Sequence, residues 1–145
     1  MEVITKNTQE TQKLGEKMGR DLALGKIKTK ILCLFGDLGS GKTTFIQGLA
    51  KGLGIKKRII SPTFIFIKQY DSLLYHIDLY RIENLQQAEG LGLEEIFSDP
   101  QAVVAIEWAE KIKKILPKKR IDLQFNYLNQ KKRKIIIKSN FNSGQ

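Results

Sequence analysis

The segment Gly36-Asp37-Leu38-Gly39-Ser40-Gly41-Lys42-Thr43 restricts the fold more than any other feature of the chain. It fits the pattern G-x-x-x-x-G-K-[ST], whose chemistry depends on its setting. A strand must lead in and a helix must lead out, so that successive backbone N–H groups and the helix N-terminus converge on phosphate oxygens. Both neighbours are present. Lys30-Ile31-Leu32-Cys33-Leu34-Phe35 shows no polar alternation, as in a strand covered on both faces of a parallel sheet. After Lys42, residues Thr44, Phe45, Ile46, Leu49, Ala50 and Leu53 recur at helical spacing up to Gly54, a C-terminal cap. Gly36, Gly39 and Gly41 allow close backbone approach, with Leu38 and Ser40 between them and Thr44 just beyond. Lys42 is expected to reach the β and γ phosphates, and the Thr43 hydroxyl to ligate magnesium, which prefers hard oxygen donors. The chain is therefore expected to bind a nucleoside triphosphate with Mg2+.

A chain of 145 residues fits one domain with a modest core, too small for a multidomain motor or transporter. No apolar run approaches the roughly 18 residues needed to cross a bilayer, so no membrane association is expected. Met1 to Lys6 has no apolar segment after a basic start, and Cys33 is the only cysteine, a small core residue of the buried strand. Neither export nor a disulfide framework is indicated, and the cytoplasm is the expected compartment. The formal charge of +10 is concentrated in Lys56-Lys57-Arg58, Lys111-Ile112-Lys113-Lys114, Lys118-Lys119-Arg120 and Lys131-Lys132-Arg133-Lys134. Two readings stay open, solvated basic faces or electrostatic contact with RNA or an acidic partner. Aromatic residues are not interleaved as a stacking platform requires.

Along the rest of the chain, Asn7 with Glu10 resembles a capping box, and Leu14, Met18 and Leu22 share one face of a helix expected over 8–24. Phe64 to Tyr70 and Leu73 to Tyr80, joined at Asp71-Ser72, read as a β-hairpin. Period two puts His76, Asp78 and Tyr80 on one face of its second strand. His76 reads as a hydrogen-bonded, half-buried residue, with a catalyst as the alternative, and Asp78 as either a functional acid or an ion-pair partner of Arg81 or a lysine. A helical stretch from Asn84 to Glu95, interrupted at Gly90 and Gly92, precedes Ala102-Val103-Val104-Ala105-Ile106-Glu107. That buried run delivers an acid at its C-terminal end, the Walker-B pattern, and makes Glu107 a second expected magnesium ligand. A lysine-rich helix over Ala109 to Leu116 and a hairpin of Ile121–Tyr127 with Lys134–Lys138 complete the domain, with a turn at Asn129-Gln130-Lys131. The expected organisation is a single α/β P-loop NTPase domain over 1–138. Its central sheet is mainly parallel, with antiparallel hairpin strands at the edges and flanking helices; 139–145 is expected to be a flexible tail.

These motifs, taken in order, resemble the TsaE (YjeE) family: the P-loop with Thr44-Phe45, Gly52-Leu53-Gly54, Ser61-Pro62-Thr63-Phe64, His76-Ile77-Asp78-Leu79-Tyr80-Arg81, Glu89-Gly90-Leu91-Gly92 and Ile106-Glu107-Trp108. The resemblance runs from about 7 to 137. It implies a small Mg2+-dependent ATPase of the bacterial machinery that installs threonylcarbamoyl on adenosine 37 of tRNA. It also implies action with a TsaB–TsaD heterodimer and contact with tRNA through that complex; the oligomeric state of the chain alone stays open, with a monomer expected. By the same resemblance, Thr43 and Glu107 are magnesium ligands, Thr63 is a switch element sensing the γ-phosphate, and Asp78 is the essential acid near it. Lys42 completes the catalytic set. Trp108 is either a conformational reporter and partner contact or a core indole, and Thr8 and Lys131 border the adenine.

Three other readings are weighed on residues alone. A GTPase would carry Asn-Lys-x-Asp, and Asn129-Gln130-Lys131-Lys132 lacks the acid. A small-molecule P-loop kinase would need an arginine-bearing lid, and Arg81 is the only arginine between Arg58 and Arg120. A nucleotide-dependent interaction module without significant turnover differs from an ATPase only in rate. No arginine finger is evident within the chain, and either Asp78 or Glu107 is expected to orient water.

Overall fold

A computed structural model describes residues 1–60 and 67–140. The elements run β1 (Glu2–Thr5), α1 (Thr8–Ala23), β2 (Ile31–Phe35), α2 (Lys42–Gly52), β3 (Ile67–Tyr70), β4 (Leu74–Asp78), α3 (Leu85–Glu89), α4 (Leu93–Phe97), β5 (Val103–Glu107), a 3-10 helix (Ala109–Ile115), β6 (Arg120–Tyr127) and β7 (Arg133–Asn140). The seven strands among the described residues form one sheet in the order β1-β7-β6-β2-β5-β4-β3. The central strands β6, β2, β5 and β4 are mutually parallel, while β7, β1 and β3 add antiparallel edges. This is the expected α/β architecture.

The alternation of the buried strands divides the core. Leu32, Leu34, Val103, Ala105, Leu123 and Phe125 pack with Phe45, Ile46 and Leu49 of α2 and Met18 and Leu22 of α1. Ile31, Cys33, Val104 and Ile106 pack on the opposite face with Ala88, Leu93, Ala109 and Ile112. Each of these fully buried Leu, Ile or Phe side chains contributes about 1.5–3 kcal/mol through removal of apolar surface from water. Helices α1 and α2 touch backbone to backbone. A Cβ built on Gly15 would lie 2.1 Å from the Phe45 carbonyl oxygen, and one on Gly48 would lie 1.9 Å from that of Gln12.

Several local expectations are altered. Asn7 caps α1 by accepting from the Glu10 N–H at 2.9 Å, but the Glu10 carboxylate accepts from Lys6 N–H rather than from the cap residue. The Asn84–Glu95 stretch is interrupted where expected, at Gly90 and at Gly92, φ 73°, but its second five-residue helix runs on to Phe97. The Ala109–Leu116 helix is a 3-10 helix, entered from Trp108 at φ 60° and kinked at Ile112, φ −125°. β1 was not anticipated: four residues are too few for a pattern, and their pairing partner β7 lies at the far end of the sequence. β7 continues to Asn140, two residues past the boundary read from sequence, and 141–145 lie outside the described residues. The hairpin turn is where expected, with Asp71 and Ser72 at φ 54° and 56° and the Leu73 N–H on the Tyr70 carbonyl at 2.9 Å.

Candidate functional site

Parallel strands deliver their C-terminal ends to one edge of the sheet, and there the motifs meet. Strand β2 leads into the glycine-rich loop, and α2 begins at Lys42. Gly36 has φ 144°, and a Cβ there would lie 2.6 Å from the Phe125 carbonyl oxygen, so this bend requires glycine. Gly41, at φ 103°, precedes α2 and offers no side-chain cap. The start of α2 thus lacks the side-chain oxygen that Asn7 and Asn84 supply at the heads of α1 and α3, and a helix N-terminus of this kind favours an anion.

A cavity of about 420 Å³ opens over the loop. Of the residues named from sequence, Thr8, Leu38, Gly39, Ser40, Gly41, Lys42, Thr43, Thr44, Asp78, Glu107 and Lys131 line it. Gly36 stands behind the wall, offering its carbonyl to Lys42. Thr63, with the rest of Ser61–Phe66, lies outside the described residues.

The electrostatics follow from the strand register. Asp78 is the Cα partner of Glu107 across β4 and β5, so two acids end adjacent parallel strands. The Thr43 hydroxyl donates to both Glu107 carboxylate oxygens at 3.1 Å. His76 Nε2 lies 2.7 Å from Glu107 Oε2, and the imidazole is fully buried rather than half-buried. Asp78 Oδ1 accepts the Tyr80 N–H at 3.0 Å; Tyr80 itself falls beyond the end of β4 and is 46% exposed, so the expected three-residue face stops at Asp78.

Lys42 is buried, donates to the carbonyls of Gly36 and Asp37, and sits 4.3 Å from the Trp108 ring centroid. Burial pushes its ammonium below the ordinary lysine value, partly opposed by Glu107, Glu110, Asp78 and Asp37. An anion in the cavity would relieve that strain. Trp108, directly after Glu107, holds a left-handed conformation that costs a bulky residue about 1–3 kcal/mol.

The residues present fit a phosphate and a hard divalent cation. Ser40 belongs to the cavity wall, and its Oγ is buried without a hydrogen-bond partner among the described residues. Thr43 and Glu107 supply oxygen donors 3.1 Å apart. Among the described residues no group of three or more His, Cys, Asp or Glu gathers for a metal. Magnesium beside phosphates commonly takes only one or two protein ligands, the rest being phosphate oxygens and water.

Trp108, expected beside the nucleotide, lines the wall, and the structure adds residues that sequence did not assign to it: Thr11, Tyr80, Arg81 and Arg133. Arg133 donates to the Gly39 carbonyl at 2.9 Å and lies 4.6 Å from the Tyr127 ring, tying β7 to the glycine-rich loop. Spacing held a signal for one of them, since Thr11 is one helical turn from Thr8. Two arginines, Arg81 and Arg133, therefore line the cavity. No helix among the described residues is long and apolar enough to cross a membrane.

A model of the family described as "Threonylcarbamoyl adenosine biosynthesis protein TsaE" matches residues 5–135. The tRNA threonylcarbamoyladenosine biosynthesis protein TsaE of Treponema pallidum is 34% identical over 139 residues, covering 94% of this chain and 99% of that protein. The protein of the same name from Bacillus subtilis is 44% identical over 108 residues, covering 72% of this chain and 66% of its own length. The crystal structure of Bacillus subtilis YdiB superposes with a TM-score of 0.75 at 35% identity, covering 98% of this chain and 86% of that one. Since the family match takes in the glycine-rich loop, Asp78, Glu107 and Arg133 within a single stretch, the chain belongs to the TsaE family.

Proposed function

We propose that this protein binds and hydrolyses ATP with Mg2+ as an accessory subunit of tRNA N6-threonylcarbamoyladenosine biosynthesis at position 37, acting with TsaB and TsaD in the cytoplasm. The observation that carries the reading is the convergence of Lys42, Thr43, Asp78 and Glu107 on one cavity at the uncapped start of α2. Thr43 and Glu107 would hold the magnesium ion, which when bound offsets charge on the β- and γ-phosphate oxygens. Lys42 leaves its two carbonyl partners for phosphate, exchanging backbone acceptors for a charged one. Asp78, fixed by the Tyr80 N–H, orients the attacking water. With Thr63 as a partner-ordered switch, the isolated chain turns over slowly and TsaB–TsaD accelerates it.

Lys42→Ala abolishes nucleotide binding, whereas Asp78→Ala spares binding and loses hydrolysis, measured by calorimetry and phosphate release. Equal loss of binding in both variants sinks the division of roles. ATP binds in preference to GTP, and an ATPase rate unchanged by TsaB–TsaD rejects the coupling. A chain that binds ATP and never turns it over, alone or in the complex, is an interaction module instead.

A further inference from the structure

We infer that His76 is a positioning residue, its Nε2–H holding the Glu107 carboxylate in the one orientation that serves a divalent cation beside Thr43. The inference rests on the nucleotide reading above and gives a role to a residue that sequence read first as a hydrogen-bonded histidine.

The register explains how the contact arises. His76 is the Cα partner of Ala105, one pair before Asp78 with Glu107 on the same face of β4 and β5. A methyl group at 105 leaves room for the imidazole to lean along the strands to Glu107 Oε2, 2.7 Å away. Both groups are buried, His76 at 0% and Glu107 at 3% exposure. An ionised carboxylate accepts only, so Nε2 carries a proton in this contact, while Nδ1 has no hydrogen-bond partner among the described residues.

A buried polar pair inside a sheet is poor value for stability alone, since apolar residues of similar volume there are often neutral or better. What the pair does supply is direction. The terminal torsion of a glutamate is broad and roughly two-fold, so Thr43, which reaches both carboxylate oxygens at 3.1 Å, fixes the distance but not the plane. His76, a second donor on Oε2 alone, fixes that plane and makes the two oxygens unequal, so that Oε1, which accepts from Thr43 but not from His76, is the one a cation beside that hydroxyl would take. Outer partners of this kind typically change metal affinity by about 10–100-fold.

The test uses His76→Gln and His76→Met, two side chains of nearly equal shape, of which only Gln keeps an N–H at the reach of Nε2. ATP binding is followed by Trp108 fluorescence across a Mg2+ titration and again in EDTA, with thermal melts of each ligand-free protein as the structural reference. The expected result is a Mg2+ requirement raised about 10-fold or more in the Met variant. Gln should restore it to within about threefold, and both variants should bind ATP in EDTA as the parent does. Equal Mg2+ requirements in Met and Gln overturn the inference, as does a Mg2+ requirement that stays at the parent value in both while melting temperatures fall. If the parent shows no Mg2+-dependent ATP binding at all, the nucleotide reading fails, and this inference falls with it.

Discussion

The two faces of the sheet are built differently. On one, α1 and α2, of 16 and 11 residues, press together backbone to backbone over a core of large side chains. On the other, two five-residue helices and a kinked 3-10 helix cover a second core. Long helices distribute a local disturbance over many neighbours, while short ones open nearly independently. The first face carries the glycine-rich loop, which must hold its shape before a phosphate arrives. The second carries the turn with Tyr80 and Arg81 and the strained Trp108, the parts of the cavity wall best placed to respond to what is bound.

The sharpest way to break this comparison is to add one methyl group to each face. At Gly48 the new carbon would meet the Gln12 carbonyl at 1.9 Å, backbone that can yield only if the helices separate. Gly48→Ala should cost about 3 kcal/mol, the upper part of the range for overpacking, and lower the melting temperature by about 10 °C. At Gly90 nothing lies within 4 Å and φ is −84°, so Gly90→Ala should be neutral or stabilising by about 0.5 kcal/mol. Equal effects in denaturant melts would show that the two faces are equally tight.

The same difference decides what could be read in advance. Strand β2, the loop and α2 were legible because the motif and its supports are contiguous in sequence. Asp78 and Glu107 were legible because strand ends in such sheets deliver residues to ligands. The meeting of His76 with Glu107 was not, since it depends on β4 lying beside β5 and on the small residue at 105. Arg133 and Gly39 are 94 positions apart and meet only after β1 to β7 have closed the sheet. The glycines at 15, 19, 48 and 52 recur at helical spacing, but only the packed helices show them as one contact. The lysine-rich run after Trp108 has helical composition, and the left-handed turn at 108 diverts it into a 3-10 path.

Cys33 gives a smaller, pH-dependent probe of the second face. It is fully buried there, and desolvation, reinforced by Asp122 and opposed by Arg120, pushes its thiol from 9.0 to about 12. Above pH 9 the unfolded thiol loses its proton while the folded one keeps it. Stability from this group is therefore complete below pH 9 and lost as pH rises toward 12. Relative to Cys33→Ala, the parent should lose about 1.4 kcal/mol between pH 8 and pH 10, one pKa unit of linkage. Lys42, lowered by burial, works in the opposite direction but equally in both proteins, so it cancels. A difference that stays flat over this interval would mean that water already reaches Cys33 in the folded protein.

The finest distinction lies in two caps that look alike. Asn7 accepts the Glu10 N–H at 2.9 Å at the head of α1, and Asn84 accepts the Gln87 N–H at 3.0 Å at the head of α3. Loss of either side-chain acceptor leaves a helix N–H unpaired, worth about 1 kcal/mol in a helix that unfolds with the whole domain. Asn7→Ala should show that amount in global unfolding, because α1 is locked to α2 through the Gly15 and Gly48 contacts. Asn84→Ala should register less than half as much globally, because a five-residue helix can fray without taking the sheet with it. Its effect should instead appear in native-state hydrogen exchange, as faster exchange confined to residues 85–89. If Asn84→Ala lowered global stability as far as Asn7→Ala with no local acceleration, the short helices would belong to the same cooperative unit as the long ones. The contrast between the faces would then be one of shape alone.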